Sequence, residues 1–451
     1  SGALTVTGTT NLASTAANSD ILLDTQANNF GGTVSFGGTA ANIRDVSLRN
    51  VNAGATIPAL AGLTNLRNLA LTFDAAPINL PTVNASGNLS ATAGGSITQS
   101  GALTVGGATT LATTIAGSDI LLDTQANNFG GAVTFSGTQT NIRDIGLRNL
   151  NAGATIPALA GMTNLRNLTL TFDNAPLALP SLTASGNLTA TAGGTITQTG
   201  ALTIAGITTL AAGINDINLT NGGNNFSMVS IISGNNVALT DANALVFGAS
   251  TVSGTLNVTT NGDLTQSGAL NVAGTTTLAA GVNDITLTNA ANNFSTVGIT
   301  SGNNVTLTDA NALTLNASTV SGNFSANAGN LTVGGAVAST GGSLNLTGAN
   351  NVTQLANLTA NGANNVTVTT TTGPITMAAA ATTISGTGAI SYTAGTDVTL
   401  GSLSTGGGVN VFANGGSVFS AAGSGTNVTA SAASTLQAFN GVVGTQAAPV
   451  T

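Results

Sequence analysis

The chain has 451 residues, of which 60 are glycine and only 4% are charged. All 14 acidic residues are aspartate, all six basic residues are arginine, and Cys, His and Trp are absent. This composition excludes a thiol nucleophile, a Cys/His zinc site, a Ser-His-Asp triad and a lysine Schiff base. The net charge of −8 argues against nucleic-acid binding, because phosphate contacts need clustered Lys or Arg.

The apolar residues, 42% of the chain, are dispersed among Thr, Asn, Ser and Gly. Because no run is long enough to cross a bilayer, we expect no membrane insertion. Disordered chains typically lack so much Val, Ile and Leu. The strong helix formers Glu and Lys are missing, whereas residues that favour strands and turns dominate. The sequence therefore predicts an all-β protein.

Two long repeat copies come first. The motif Ser-Gly-Ala-Leu-Thr-Val at Ser1 returns at Ser100, so the copies span residues 1–99 and 100–198. Because the chain begins inside a repeat motif, we expect it to be a fragment of a longer protein.

Two short copies and a degenerate tail follow. The motif recurs in variant form at Thr199 and Ser267, which gives copies over residues 199–266 and 267–328, with degenerate repeats over 329–451. In all copies apolar residues alternate with polar ones, and this period of two predicts half-buried strands of about five residues. Gly, Asn and Asp clusters between them predict turns.

The long and short copies share both ends and differ in the middle. Residues 31–85 of the first long copy occupy the place of residues 227–252 in the first short copy. A β-sandwich would not tolerate such a deletion, whereas a solenoid can lose a coil because each coil contacts mainly its neighbours. We therefore predict one continuous parallel β-solenoid of roughly 20 coils.

The extra residues of the long copies predict either one additional coil plus a loop of about ten residues or one coil with a wide excursion. We place the excursion at residues 50–82 and 149–181, which carry six of the eight prolines. Proline is poorly placed within interior strands. The spacing of Leu60, Leu63 and Leu66 is helix-like, so a short helix near residues 57–66 is also predicted.

Several motifs resemble the repeats of filamentous-haemagglutinin-type exoproteins. The motifs are Ser100 to Leu111, Asn283 to Asn289 and Asn304 to Leu313. The resemblance implies a right-handed parallel β-helix, export by two-partner secretion through an outer-membrane transporter, and a role in adhesion. It covers nearly the whole chain and is more specific for architecture than for a ligand.

The charged residues give little support to catalysis. The aspartates recur at equivalent repeat positions, such as Asp216 with Asp284 and Asp20 with Asp119, whereas a catalytic site is normally unique. We interpret them as turn or strand-end residues. The arginines are interpreted either as exposed partners of Asp45, Asp74 and their copies or as a candidate contact surface. These arginines are Arg44, Arg49, Arg67, Arg143, Arg148 and Arg166.

Together these observations predict a structural or adhesive rod of a bacterial cell-surface or secreted exoprotein. We expect no catalysis, no cofactor and no metal, and an unidentified glycan or protein ligand at the host or cell surface. The first alternative is a subunit of a polymerised extracellular filament or sheath, assembled by self-association. A polysaccharide-active β-helix enzyme is the third hypothesis.

Overall fold

The structure is a computed structural model that describes residues 2–444 and 450–451. In these residues the regular structure is short β-strand, with two single-turn 3-10 helices at Ala40–Asn42 and Gln139–Asn141. No helix in the described part of the chain is long and apolar enough to cross a membrane.

The chain divides into two compact units, residues 1–221 and 222–451. In the first unit the strands of the first long copy are β1 Thr5–Val6, β2 Thr10–Ser14, β3 Ser19–Leu23, β4 Asn29–Phe30, β5 Val34–Gly38, β6 Ile43–Asn50, β7 Asn68–Phe73, β8 Ile78–Leu80, β9 Val83–Ala85, β10 Leu89–Ala93 and β11 Ile97–Gln99. The remaining strands of this unit are β12 Leu103–Val105, β13 Thr109–Thr113, β14 Ser118–Leu122, β15 Asn128–Phe129, β16 Val133–Phe135, β17 Ile142–Asn149, β18 Asn167–Phe172, β19 Leu177–Leu179, β20 Leu182–Ala184, β21 Leu188–Ala192, β22 Ile196–Gln198, β23 Leu202–Ala211 and β24 Ile217–Leu219.

The second unit contains the first short copy from residue 222 onward, the second short copy and the degenerate repeats. Its first strands are β25 Asn225–Ser233, β26 Val237–Asp241, β27 Leu245–Phe247, β28 Ser250–Val252, β29 Leu256–Thr260, β30 Leu264–Gln266, β31 Leu270–Ala279, β32 Ile285–Leu287, β33 Asn293–Ser301, β34 Val305–Thr308, β35 Ala312–Leu315, β36 Ser318–Val320 and β37 Phe324–Val333. They are followed by β38 Val337–Ser339, β39 Leu344–Gln354, β40 Leu358–Ala360, β41 Val366–Thr370, β42 Ile375–Met377, β43 Thr382–Ser385, β44 Ile390–Ala394, β45 Val398–Leu400, β46 Ser402–Thr405, β47 Val409–Ala413, β48 Val418–Ser420, β49 Val428–Ala430 and β50 Thr435–Ala438.

Strands pair in parallel with strands one coil away, so each unit is a stack of coils. In the second unit Val305 pairs with Phe324, which in turn pairs with Leu344. Apolar core positions therefore stack on apolar core positions. On the neighbouring face of the coils, identical polar residues also stack. There one outward-facing column runs through Thr296, Thr314, Thr332, Thr353, Thr376 and Thr399.

The alternation predicted from the sequence separates core from surface. Ile217 and Leu219 are 0% exposed, and Asn218 between them is exposed. The chain is thus an all-β parallel β-solenoid of about 20 turns, which confirms the predicted fold class. The hand of the coils stays a prediction.

Turns between strands also stack, and glycine permits their close approach. A Cβ atom on Gly131 would lie 2.5 Å from the main-chain oxygen of Gly107 on the preceding coil. Since real Cβ atoms do not approach that closely, a larger residue would force the coils apart. The need for thin turns helps to explain the high glycine content.

The recurring Asn-Asn-Phe motif places a buried amide between coils. Nδ2 of Asn127 donates to the carbonyl of Leu122 at 2.8 Å, and its Oδ1 accepts from the N–H of Leu103 at 2.9 Å. The phenylalanine enters the core, where Phe129 is 1% exposed. Burial of this polar side chain is tolerated because its hydrogen bonds are satisfied. The same residue is buried in every copy, at Asn28, Asn127, Asn224 and Asn292.

A buried aspartate at a strand end also forms hydrogen bonds with the main chain. Oδ2 of Asp241 accepts from the N–H of Phe226 at 2.6 Å, and Oδ1 accepts from the N–H of Asn243 at 2.7 Å. Burial raises the pKa of the Asp241 carboxyl, and these two hydrogen bonds offset part of that effect. In the long copy Asn50 accepts from the N–H of Phe30 at 3.0 Å, so a neutral amide suits this position.

We predict that Asp241→Asn makes the second unit more stable at pH 7. Because the folded-state pKa of Asp241 is raised above 3.8, folding favours the neutral carboxyl. The associated stability is present below the unfolded-state pKa and is lost as the pH rises through the folded-state value. Urea unfolding from pH 3 to 7 should show the variant's advantage shrinking towards low pH. A variant that is less stable than the parent at pH 7 would contradict this assignment.

Candidate interaction surface in the inserted coil

The long copies contain one coil that the short copies lack. In the first long copy Ile21 pairs with Val46, and Val46 pairs with Leu69, 23 residues further on. In the second short copy Ile285 pairs directly with Val305. The additional coil of the first long copy therefore consists of β6 and the segment that returns the chain to β7. The second long copy has the same arrangement, in which β14 pairs with β17 and β17 pairs with β18.

Only one face of the inserted coil is a strand. After β6 the chain forms an irregular segment over residues 51–67, the insertion loop, and its copy covers residues 150–166. Other coils have a strand on each face, whereas on the remaining faces of the inserted coil the insertion loop is present instead of strands. The predicted excursion is therefore confirmed, with its boundaries narrowed to the loop.

The helix predicted near residues 57–66 is wrong, because this segment forms successive turns. The N–H of Leu63 donates to the carbonyl of Leu60 at 3.0 Å, and the N–H of Leu66 donates to the carbonyl of Leu63 at 3.3 Å. Each hydrogen bond closes a four-residue turn whose ends are three residues apart, and two such turns in succession produce the helix-like spacing. The three leucines are 4–6% exposed, so they fill the core beneath the loop.

All six arginines form ion pairs with aspartates on neighbouring coils. Arg44 contacts both carboxylate oxygens of Asp20, at 3.1 and 2.8 Å. Arg49 contacts Asp74 at 2.8 Å. The pairs between coils are Arg44–Asp20, Arg49–Asp74, Arg67–Asp45, Arg143–Asp119, Arg148–Asp173 and Arg166–Asp144.

Asp45 holds the end of the insertion loop against the start of β7. Both of its carboxylate oxygens accept from the guanidinium of Arg67. Oδ1 also accepts from the N–H and the Nδ2 of Asn68, at 3.2 and 3.1 Å. The hydrogen bonds from Arg67 contribute most to holding the pKa of Asp45 below its usual value. The predicted pairing of arginines with Asp45 and Asp74 is confirmed, and the contact-surface hypothesis stays a prediction.

Within the described ranges 2–444 and 450–451, no group of three or more His, Cys, Asp or Glu residues could hold a metal ion. The acidic residues near the loop are instead engaged by arginine.

A cleft of about 920 Å³ separates the insertion loop from the next coil. Its walls carry no charged residue and combine aliphatic side chains and prolines with Thr and Asn, with Ile57 and Pro58 on the loop side. The opposite wall carries the outward-facing side chains of Asn79 and Asn84, next to Pro81. This edge cleft lies between residues 55–66 and the strands β8 and β9.

The edge cleft exposes the unpaired edge of β8. The N–H of Ile78 donates to Ser96, and the carbonyl of Leu80 accepts from Ser100, so both residues pair towards β11. Because alternate residues of a parallel strand point to opposite sides, the N–H and C=O of Asn79 point towards the insertion loop. Within the described part of the chain no strand pairs with that side of β8.

The next strand has the same free edge. The N–H of Val83 donates to Ala102 and the carbonyl of Ala85 accepts from Gly106, both on the following coil. The main-chain groups of Asn84 therefore also point towards the loop.

Prolines flank the free edge and limit what can pair with it. Pro77 and Pro81 lie two residues before and after Asn79, at positions that also point towards the loop. Since proline has no N–H, it leaves no unpaired donor at these positions, and proline is a common means of protecting an edge strand. In the second long copy Pro176 and Pro180 flank Ala178 in the same way. The sequence signal was thus the Pro-x-x-x-Pro spacing, which the sequence reasoning treated only as a sign of irregular structure.

Comparison with known proteins places most of the chain in one repeat family. The family, "Repeats of unknown function (DUF5649)", matches residues 1–37, 66–136, 165–233, 234–301 and 302–353. The chain belongs to this family. Its matches leave out residues 38–65 and 137–164, which contain β6, β17 and nearly all of both insertion loops. No curated protein and no solved structure matches the chain.

We predict that Leu63→Ala loosens the insertion loop. Truncating a buried leucine should lower the free energy of unfolding of the surrounding coils by about 2–5 kcal/mol. The exposed neighbour Thr64 is the matched control, and Thr64→Ala should change it by less than about 0.5 kcal/mol. Denaturant titration, with unfolding of the loop monitored by hydrogen exchange, measures the free energy of unfolding of both variants. Equal effects of the two substitutions would show that the leucine does not belong to the core.

Proposed function

We propose that the chain is the structural and adhesive rod of a bacterial cell-surface or secreted exoprotein, without catalytic activity. The observation that carries the proposal is the register stacking of coils of unequal length, which builds a rigid scaffold from repeats. The resemblance to filamentous-haemagglutinin-type exoproteins supports the adhesive role, export through an outer-membrane transporter, and location outside the cell.

The distribution of charge supports a scaffold with a local contact region. All arginines lie in the two long copies, and residues 200–451 carry six aspartates and no basic residue. The inserted coils therefore differ chemically from the remaining coils. Loops on a rigid scaffold commonly carry binding residues, and the ligand we propose is a host or cell-surface glycan or protein.

Adhesion can be tested with beads coated with the purified chain. We expect coated beads to attach to host cells or bacteria more than beads coated with albumin. Electron microscopy of the same preparation should show isolated particles. Ordered fibres would favour the filament or sheath, turnover of an acidic polysaccharide panel would favour the enzyme, and attachment at the albumin level would contradict the adhesive role.

Two matched variants test the arginine contact surface in that assay. One replaces Arg49, Arg67, Arg148 and Arg166 by Gln, and the other replaces their partners Asp74, Asp45, Asp173 and Asp144 by Asn. Both break the same ion pairs, but only the first removes the guanidinium groups. If the arginines contact the ligand, attachment should fall in the first variant alone. Unchanged attachment in the arginine variant would eliminate the contact surface.

A further inference from the structure

We propose that the edge cleft binds an extended, uncharged peptide segment, which adds to β8 as a parallel strand. The insertion loop at residues 150–166 leaves the corresponding edge of β19 for a second segment. This inference goes beyond the proposed adhesive role, and it rests on main-chain geometry rather than on the charged residues.

Unpaired main-chain groups of β8 and β9 point into the edge cleft. The N–H and C=O of Asn79 point into the cleft, and so do those of Asn84 on β9. An exposed row of such groups recruits a further strand, and main-chain hydrogen bonds then provide affinity. Pro77 and Pro81 remove the neighbouring donors, so an added strand pairs with β8 mainly through Asn79.

The second argument is that the short copies fill the same place with a strand. There the counterpart of β8 pairs on both sides. In the second short copy β35 pairs with β33 through Thr296 with Thr314 and Val297 with Leu315, as well as with β37 on the following coil. A contact of two residues is therefore enough to complete the sheet at this position. The long copies lack this strand because the insertion loop takes its place.

The third argument is the chemistry of the cleft walls. Its lining combines aliphatic side chains and prolines with Thr and Asn, and contains no charged and no aromatic residue. A charged peptide would lose hydration there without gaining a partner. The cleft volume of about 920 Å³ lies near the upper end of the usual range for ligand sites, roughly 300–1,000 Å³. An uncharged peptide in extended conformation matches both the walls and the edge.

A peptide with the sequence of residues 293–301 is the probe, because that strand occupies the equivalent place in the short copy. We would label it with fluorescein, acetylate and amidate its ends, and measure binding to the full chain by fluorescence anisotropy. The parent chain should bind it saturably. The double variant Asn79→Pro/Ala178→Pro should bind about tenfold more weakly or worse, because both central N–H donors are lost.

Asn79→Ala is the matched control, because it removes the side chain but keeps the N–H, as Ala178 does in the second copy. It should bind within about twofold of the parent, since the main-chain contact is unchanged. No saturable binding by the parent chain, or equal binding by the parent and the double proline variant, would overturn the proposal. Displacement of the probe by dextran would identify an uncharged polysaccharide as the occupant and would also overturn it.

N-methylated probes test the same contact on the unaltered chain, which covers the case in which the proline variant does not fold. One probe is methylated at the residues equivalent to Thr296 and Gly298, the other at those equivalent to Val297 and Ile299. Since a parallel strand presents alternate N–H groups to its partner, only one of the two methylated probes should lose binding. Equal binding by both would overturn strand addition.

Discussion

Main-chain hydrogen bonding between successive coils is the constraint on which the rest of the structure depends. Paired strands of successive coils lie at the spacing of about 4.8 Å that parallel pairing imposes. Coil lengths vary, because Val305 pairs with a residue 19 positions on and Ile21 with one 25 positions on. The turns absorb these differences, so the columns of apolar residues remain in register. Stacked glycine turns allow the close approach of coils that this register requires, and the buried asparagines of the Asn-Asn-Phe motif form hydrogen bonds between coils.

The same constraint explains why charge is scarce and where it occurs. Residues at equivalent positions stack close together, and like charges directly opposite each other destabilise a sheet. Uncharged ladders such as the threonine column avoid this cost. In the long copies the register places Asp20 opposite Asp45, and each of these aspartates pairs with an arginine that lies one residue before the ladder position on the next coil, Arg44 with Asp20 and Arg67 with Asp45. The adjacent arginines offset the repulsion between the stacked aspartates, and their ion pairs hold the ends of the inserted coil.

The sequence was sufficient for the architecture because repeats and period-two patterns are both consequences of stacking. Copies of unequal length with shared ends identified the solenoid, and they also located the inserted coil. The helix prediction failed at Leu60, Leu63 and Leu66, since a spacing of three arises equally from successive turns. The edge cleft was missed because it is defined by an absent partner strand. That absence depends on which coil lies next to β8, and the local sign of it, the spacing of Pro77 and Pro81 around Asn79, equally indicates irregular structure.

The most direct test of this account is residue-resolved amide hydrogen exchange of the full chain. The main-chain groups of residues that lie opposite each other on β8 and β11, and on β9 and β12, differ in whether they have a partner. The amides of Asn79 and Asn84 should exchange rapidly, because they point towards the insertion loop. Those of Thr98 and Thr104, which lie opposite them on β11 and β12, should be strongly protected by pairing with β8 and β9. Equal protection of both pairs would contradict the claim that the insertion loop leaves an open edge in the stack.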